Sequence, residues 1–459
     1  MRRLLIVLAA IVCAQPAWAQ TRDGNVAQCD GADPDASIAG CTALIQSGQE
    51  AASNLSAFYN NRAVAYGKKG LDDQALSDAN MAIALDPNSA DEYSNRGAVY
   101  QHQGSLDLAI ADENRAMALN PKLAEPYVNR GNAYHQQGRL DLAIADETEA
   151  IALDPKTMEA YSNRGNDYVD AGRYDLAVAD LNAALALDPR DAEAYNNRAW
   201  AYHMMGEDAK ALPDAEEAVT LASTNGNDVE TRAEIYERLG QREKAIADYT
   251  QAIALQPDFP EAFSNRGALY DLDGVRIQGR QGLDAAESLY ELAIADETRA
   301  IELKSDYAEA YDRRGRTLHH RGYEMQAIGD FTRAIALKAD YAQAYADRGD
   351  AYKEIRKYDK GNKAAFESAI SDYTRAIALD PENADTFEHR GRIYDIAGFP
   401  DRAIADYTRA IARRSNFMDA YMWRSAAYEL KGDAAKAKAD DAKFLALYHA
   451  QQAAPDAKR

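Results

Sequence analysis

The sequence lacks every familiar catalytic signature. It has no glycine-rich phosphate loop after a strand, no His-Glu-x-x-His and no Gly-x-Ser-x-Gly. Carboxylates are plentiful, but they stand in regularly repeated columns, whereas a catalytic site breaks a pattern locally. An enzyme is therefore the weakest reading, and no cofactor or metal site is expected. Cations are also scarce: 52 Lys and Arg against 74 Asp and Glu give a formal net charge of −22. That deficit argues against nucleic acid, whose binding needs cations to release counterions from phosphates. It argues equally against docking on anionic lipid, and it suits solubility and a neutral or basic ligand.

Long apolar runs are missing too. The run Leu4–Val12 is too short to span a bilayer, and no later segment is apolar enough. With Arg2 and Arg3 before it and Ala17-Trp18-Ala19 after it, the run reads as a signal peptide over 1–19, cut after Ala19. Val12, directly before Cys13, disfavours lipidation of that cysteine. The mature chain is expected to be exported, periplasmic or secreted, with no membrane insertion. Of only three cysteines, Cys13 leaves with the signal. Cys29 and Cys41 then face an oxidising compartment, where a disulfide is expected rather than two unrelated small apolar residues.

What is present is a repeat. The stretch Tyr161–Pro189, YSNRGNDYVDAGRYDLAVADLNAALALDP, is one pass of a pattern that recurs from Ser56 onward. Its anchors are an aromatic, Arg-Gly, Tyr, a turn Gly, Ala-x-x-Asp, Ala and Asp-Pro. Tyr93, Tyr127, Tyr161 and Tyr195 stand 34 residues apart. Within one copy, Tyr93, Arg96, Gly97 and Tyr100 share a helix face, as do Ala109 and Ala116 on a second helix. Gly104 supplies the turn between them, and Pro121 ends the second helix. Gly97 lets the two helices approach closely.

A period of 34 with two helical halves resembles the tetratricopeptide repeat (TPR) family, and the likeness covers nearly all of the mature chain. The resemblance implies an all-α fold, a TPR α-solenoid. This would be a right-handed superhelix of about eleven helix-turn-helix repeats, preceded by a half-repeat, since Ala36–Ile45 resembles a second helix without its first. The expected divisions are a cap over 20–55 with the half-repeat and the disulfide, repeats one to five over 56–225, and repeats six to eleven over 226–448. A disordered tail is expected over 449–459. Two copies are stretched, at 271–292 and 353–368. The first reads as a loop around Gly274, Gly279 and Gly282 with the second helix extended backwards from about Asp284, and the second, rich in Lys and Arg, as a solvated protrusion or a docking knob. Ser223–Asn227 reads as a soft joint, and Pro213 is tolerable only in the first turn of its helix.

Three polar columns run through the copies. An arginine (Arg96, Arg164 and their equivalents) recurs in every first helix, and an aspartate (Asp112, Asp180 and theirs) in every second helix. They are read as inter-helix ion pairs, with an arginine stripe for acidic ligands as the alternative. The third column is Asn61, Asn95, Asn129, Asn163 and Asn197, which breaks after repeat five apart from Asn265. The resemblance implies that first helices line the concave face, where asparagines of some TPR superhelices grip the backbone of an extended peptide. A primary amide both donates and accepts, so it matches a peptide unit without reading side chains. The alternative is that these amides satisfy local groups. Asn132, Asn166, His135 and His203 are expected along the same groove, with the histidines as polar wall rather than metal ligands, and Glu125, Glu159 and Glu193 near its edge. Glu113, Glu147 and Glu297 replace an aromatic between helices, where a carboxylate must find a donor or an exposed edge.

The reading reached is a non-enzymatic scaffold that binds an extended segment of a protein partner. The alternative is an architectural subunit of a cell-envelope assembly that uses its convex face.

Overall fold

The computed structural model describes residues 17–358 and 362–453. The proposed signal segment up to residue 16, part of the second stretched turn and the last six residues lie outside the described residues. Every described element is a helix. The chain forms two compact units, one ending at Ser223 and the other starting at Thr224, within the stretch that reads as a joint.

In the first unit the helices pair as α1 (Ala17–Cys29) with α2 (Pro34–Ser47), α3 (Ala52–Lys68) with α4 (Asp72–Leu85), and α5 (Ala90–His102) with α6 (Leu106–Leu119). Then follow α7 (Glu125–Gln136) with α8 (Leu140–Leu153), α9 (Met158–Asp170) with α10 (Tyr174–Leu187), and α11 (Ala192–Met204) with α12 (Asp208–Leu221). The second unit contains α13 (Gly226–Arg238), α14 (Arg242–Leu255), α15 (Pro260–Gln281), α16 (Leu283–Leu303), α17 (Ala308–His320) and α18 (Glu324–Leu337). It continues with α19 (Ala342–Tyr358), α20 (Lys363–Leu379), α21 (Ala384–Ile396), α22 (Pro400–Arg413), α23 (Met418–Leu430) and α24 (Ala434–Ala453).

One repeat shows how the sequence makes a hairpin. Gly104 sits at φ +72°, a conformation that costs glycine nothing. Its N–H bonds the Gln101 carbonyl while that of Ser105 bonds Tyr100, so the last carbonyls of α5 are satisfied as the chain reverses. The two helices then meet on small residues: Gly97, Ala109 and Ala116 are all buried. A Cβ on Gly97 would lie 2.5 Å from Glu113 Oε1 and 3.4 Å from the Ala109 carbonyl, so only glycine fits without displacement.

Several expectations need correction. The cap is no half-repeat: α1 is the missing first helix, and it packs on α2 across Gly40, where a Cβ would stand 2.5 Å from the Asn25 carbonyl oxygen. Its polar sequence AWAQTRDGNVAQC carries none of the repeat's anchors, which hid it. In the first stretched copy the second helix does extend backwards, to Leu283, but the glycine-containing part before it is not a loop. Helix α15 runs through Gly274 and Gly279 and breaks only at Gly282, φ +93°. Gly274 packs under the fully buried Tyr290 ring of α16, and that contact outweighs the ~1 kcal/mol that a glycine costs a helix. Pro213 lies beyond the first turn of α12, and the helix continues through it. At the C-terminal end α24 extends to Ala453, past the expected limit at residue 448.

Candidate functional site

Which side of the stack is inner follows from which helices meet. In the first unit α3 touches α5, α5 touches α7, α7 touches α9 and α9 touches α11, while no two consecutive second helices come as close. The first helices therefore crowd together and the second helices splay, so the inner surface of this unit is built from first helices. The asparagine column lies on them.

The arginine column is fully engaged elsewhere. All eleven arginines pair with the aspartate of their own second helix at 2.6–2.8 Å. Arg96 donates from Nε to Asp112 Oδ2 at 2.7 Å and from Nη2 to Oδ1 at 2.8 Å; Arg164 meets Asp180 in the same fork at 2.6 and 2.9 Å. The remaining nitrogen reaches back to the preceding second helix, Arg96 Nη1 to Asn80 at 2.7 Å and Arg164 Nη1 to Thr148 at 2.9 Å. Arg96 is also flanked by the rings of Tyr93 and Tyr100, at 5.6 and 5.7 Å. Each such arginine fastens three elements, and it presents no free fork to an acidic ligand.

The asparagines are half-buried. Three donate one step back along the stack: Asn61 Nδ2 to Asp30 at 2.9 Å, Asn95 Nδ2 to Asn60 at 3.0 Å and Asn129 Nδ2 to Ser94 at 3.0 Å. These bonds tie each first helix to the element before it and use one of the two N–H groups of each amide. Asn163 makes no side-chain hydrogen bond among the described residues, and Asn197 Nδ2 is buried without a protein partner. Asn132 and Asn166, half-buried on the same helices, make none either.

The histidines are held by carboxylates. His135 Nδ1 meets Asp167 Oδ1 of the next first helix at 2.6 Å, and that bond, stronger than the opposing burial, raises the imidazole's pKa. His203 is buried, bonded to Asp208 of its own repeat at 2.5 Å and set against Trp200. His319 and His320 diverge, to Glu324 at 2.6 Å and Asp271 at 2.9 Å.

Two cavities open in the first unit beside the asparagine column. One, of about 530 Å³, is bounded by the end of α1, the loop Asp30–Ala32, Ser37 of α2, and Asn60, Asn61 and Asn95. The other, of about 560 Å³, is lined by Leu123, Val128, Asn129, Glu125 and Glu159. Sequence reasoning missed Asn60 and Ser94, which receive the amides of the column. Each directly precedes its own repeat's asparagine, Asn61 or Asn95, at a position where serine recurs as Ser162 and Ser264.

The displaced aromatics are buried acids. Glu113, Glu147 and Glu297 are all within 1% of full burial. Burial pushes Glu113 and Glu297 up to about 8. Ser94 and Ser264 each donate to one of them at 2.7 Å. Glu147 has Val128 where the others have serine, so no hydroxyl donates to it, and its carboxyl lies against that of Asp167. Its pKa is raised further, by burial and then by Asp167. In the second unit the column is replaced by charge: Asn265 Nδ2 bonds Glu234 at 3.2 Å, and Arg313 Nη1 bonds Ser264 and Asn265 at 2.9 and 3.0 Å.

Family models described as TPR repeat match residues 100–138, 131–169, 165–206 and 233–274, and models described as tetratricopeptide repeat match 192–225 and 390–456. No curated protein matches the chain. Among solved structures, the Cut9–Hcn1 hetero-tetramer of the APC/C is similar at 14% identity and a TM-score of 0.51, over 89% of each chain. The human IFIT1 dimer with PPP-AAAA is similar at 17% identity and 0.47, over 93% of this chain and 99% of that one. A tetratricopeptide repeat protein from Parabacteroides merdae is similar at 21% identity and 0.44, over 59% of this chain and 98% of that one. At 14% identity the likeness to the Cut9–Hcn1 structure shows the fold alone.

Proposed function

Because the chain belongs to the tetratricopeptide repeat family, we propose that it is a non-enzymatic scaffold whose first unit holds an extended segment of a partner protein along the first helices between Asn61 and Asn197. The observation that carries this is the placement of one amide per repeat on the inner surface, beside two open cavities. Asn61 and Asn95 each spend a single N–H on a neighbour, leaving an N–H and the Oδ1, which is what a main-chain amide needs. Each contact supplies ~0.5–1.5 kcal/mol net, so affinity comes from several in register and selectivity for sequence is low. Glu125 and Glu159 at the second cavity favour basic segments, and binding weakens as salt rises. Export, from the basic and apolar start of the chain, would make that partner an exported protein.

The test is Asn95→Ala, Asn129→Ala and Asn163→Ala combined. The variant keeps its helical circular dichroism and loses affinity at least tenfold for peptides selected on the parent protein. Full affinity in this variant, with loss on changing exposed second-helix residues such as Leu142 and Leu176, replaces the groove with the architectural reading.

A further inference from the structure

We propose that the N-terminal cap is one wall of this binding surface and that the Cys29–Cys41 bond holds the wall in place, so that the end of a bound extended segment is captured only while the bond is closed. The inference rests on the groove reading above. Its basis is the 530 Å³ cavity at the start of the asparagine column. One side of that cavity is Asn61 and Asn95; the other is Cys29 itself and the loop that follows it.

The loop turns on its own backbone, with the Asp30 N–H on the Val26 carbonyl and the Gly31 N–H on that of Gln28, and its far end is fixed by Asp33, which caps α2. Ser37 Oγ donates to the Cys29 carbonyl at 2.8 Å, and Asn61 Nδ2 donates to Asp30 at an exposed 2.9 Å contact. The disulfide is the covalent anchor. It joins the last residue of α1 to the middle of α2, with Cα atoms 4.7 Å apart, and both cysteines are buried against Leu44 and Phe58. Through Phe58 the bond seats the loop against α3, the helix that carries Asn61. The first amide of the column is thus aligned by a residue adjacent to the disulfide.

Opening the bond takes an external dithiol. The dithiol gives up two electrons and two protons and closes to its own disulfide, the Cys29–Cys41 bond breaks, and each sulfur becomes a thiol. Because both sulfurs are buried, the reaction requires α1 to lift from α2. Once reduced, α1 loses its covalent link to α2 and is held by non-covalent contacts, among them its packing on α2 and α3, the Arg22–Glu50 pair at 2.7 Å and the Ser37 hydrogen bond. The wall then moves, and the cavity loses its shape.

The experiment uses the full chain purified without reductant. Twelve-residue peptides are selected on it from a random displayed library, and the enriched consensus is labelled with a fluorophore. Its affinity is measured for the oxidised protein, the dithiothreitol-reduced protein, Cys29→Ser/Cys41→Ser, Ala32→Trp and the triple asparagine variant. Ala32 is an exposed loop residue at the cavity, so tryptophan there obstructs the cavity with the bond intact and the fold untouched. Reduction, the double serine variant and Ala32→Trp each weaken binding at least tenfold if the cap is a wall. Unchanged binding after reduction or by Ala32→Trp overturns the proposal, and if the triple asparagine variant alone loses binding, the groove reading survives without it. Loss by the cap variants with full binding by the triple variant removes the asparagine track and leaves the cap as the site. Failure to enrich any peptide overturns both.

Discussion

At the scale of single residues, the protein spends most of its polar side chains on itself. The Arg164–Asp180 fork is partly buried, so removing one partner strands the other charge. Arg164→Ala is expected to cost about 3 kcal/mol, measured by urea denaturation, and the paired replacement of both residues by apolar ones less than that. The buried acids have the opposite sign. Glu113 titrates from 4.5 ordinarily to about 8 in the folded chain, so the folded state holds the proton more tightly. Its contribution to stability is most favourable below the ordinary value and declines as pH rises toward 8, then stays flat. Glu113→Gln keeps the shape and cannot ionise. Denaturation midpoints at pH 5 and pH 8 are expected to lie closer together in the variant than in the parent, and an unchanged difference would refute the assignment. The pairing of arginine with aspartate was legible in the sequence, because both columns kept register through every copy. The fate of the three glutamates was not, because their environment depends on whether the residue facing them is Ser94, Ser264 or Val128, from a different helix.

At the scale of elements, the sequence disclosed the repeated hairpin and the joint after Leu221, and it concealed the first helix of the cap and the length of α15. Helix α1 was invisible because its sequence, AWAQTRDGNVAQC, carries none of the repeat's anchors. Helix α15 was mistaken for a loop because three glycines suggest a turn, whereas Gly274 is there to admit the Tyr290 ring. A Cβ at position 274 would sit 2.6 Å from Tyr290 Cε1, so Gly274→Val overpacks and should lower stability by ~1–3 kcal/mol. Gly279, with nothing within 4 Å, should tolerate alanine with no loss, and thermal melts of the two variants distinguish packing from mere helix propensity. The cap is stabilised by its crosslink: Cys29→Ser/Cys41→Ser should unfold earlier by ~2–4 kcal/mol by the same assay, with loss of protection from hydrogen exchange concentrated in α1 and α2.

At the scale of the molecule, the chain joins two units of different surface chemistry. The first carries amides on its first helices. The second carries Glu234, Arg313 and their neighbours in the corresponding place. The resemblance to the family, carried by the anchor residues and their spacing, was sufficient for the fold. It could not say which amides were already engaged, because the acceptors Asp30, Asn60 and Ser94 belong to other elements, and that decides how much of the column is free for a partner. The central claim is that the amides still available grip main chain. The most direct measurement is a crystal structure of the protein with a peptide enriched on it. The account predicts an extended peptide lying across α5, α7 and α9, with the side-chain amides of Asn95, Asn129 and Asn163 within hydrogen-bond distance of its backbone. A peptide seated on the second helices, with those amides untouched, would contradict it.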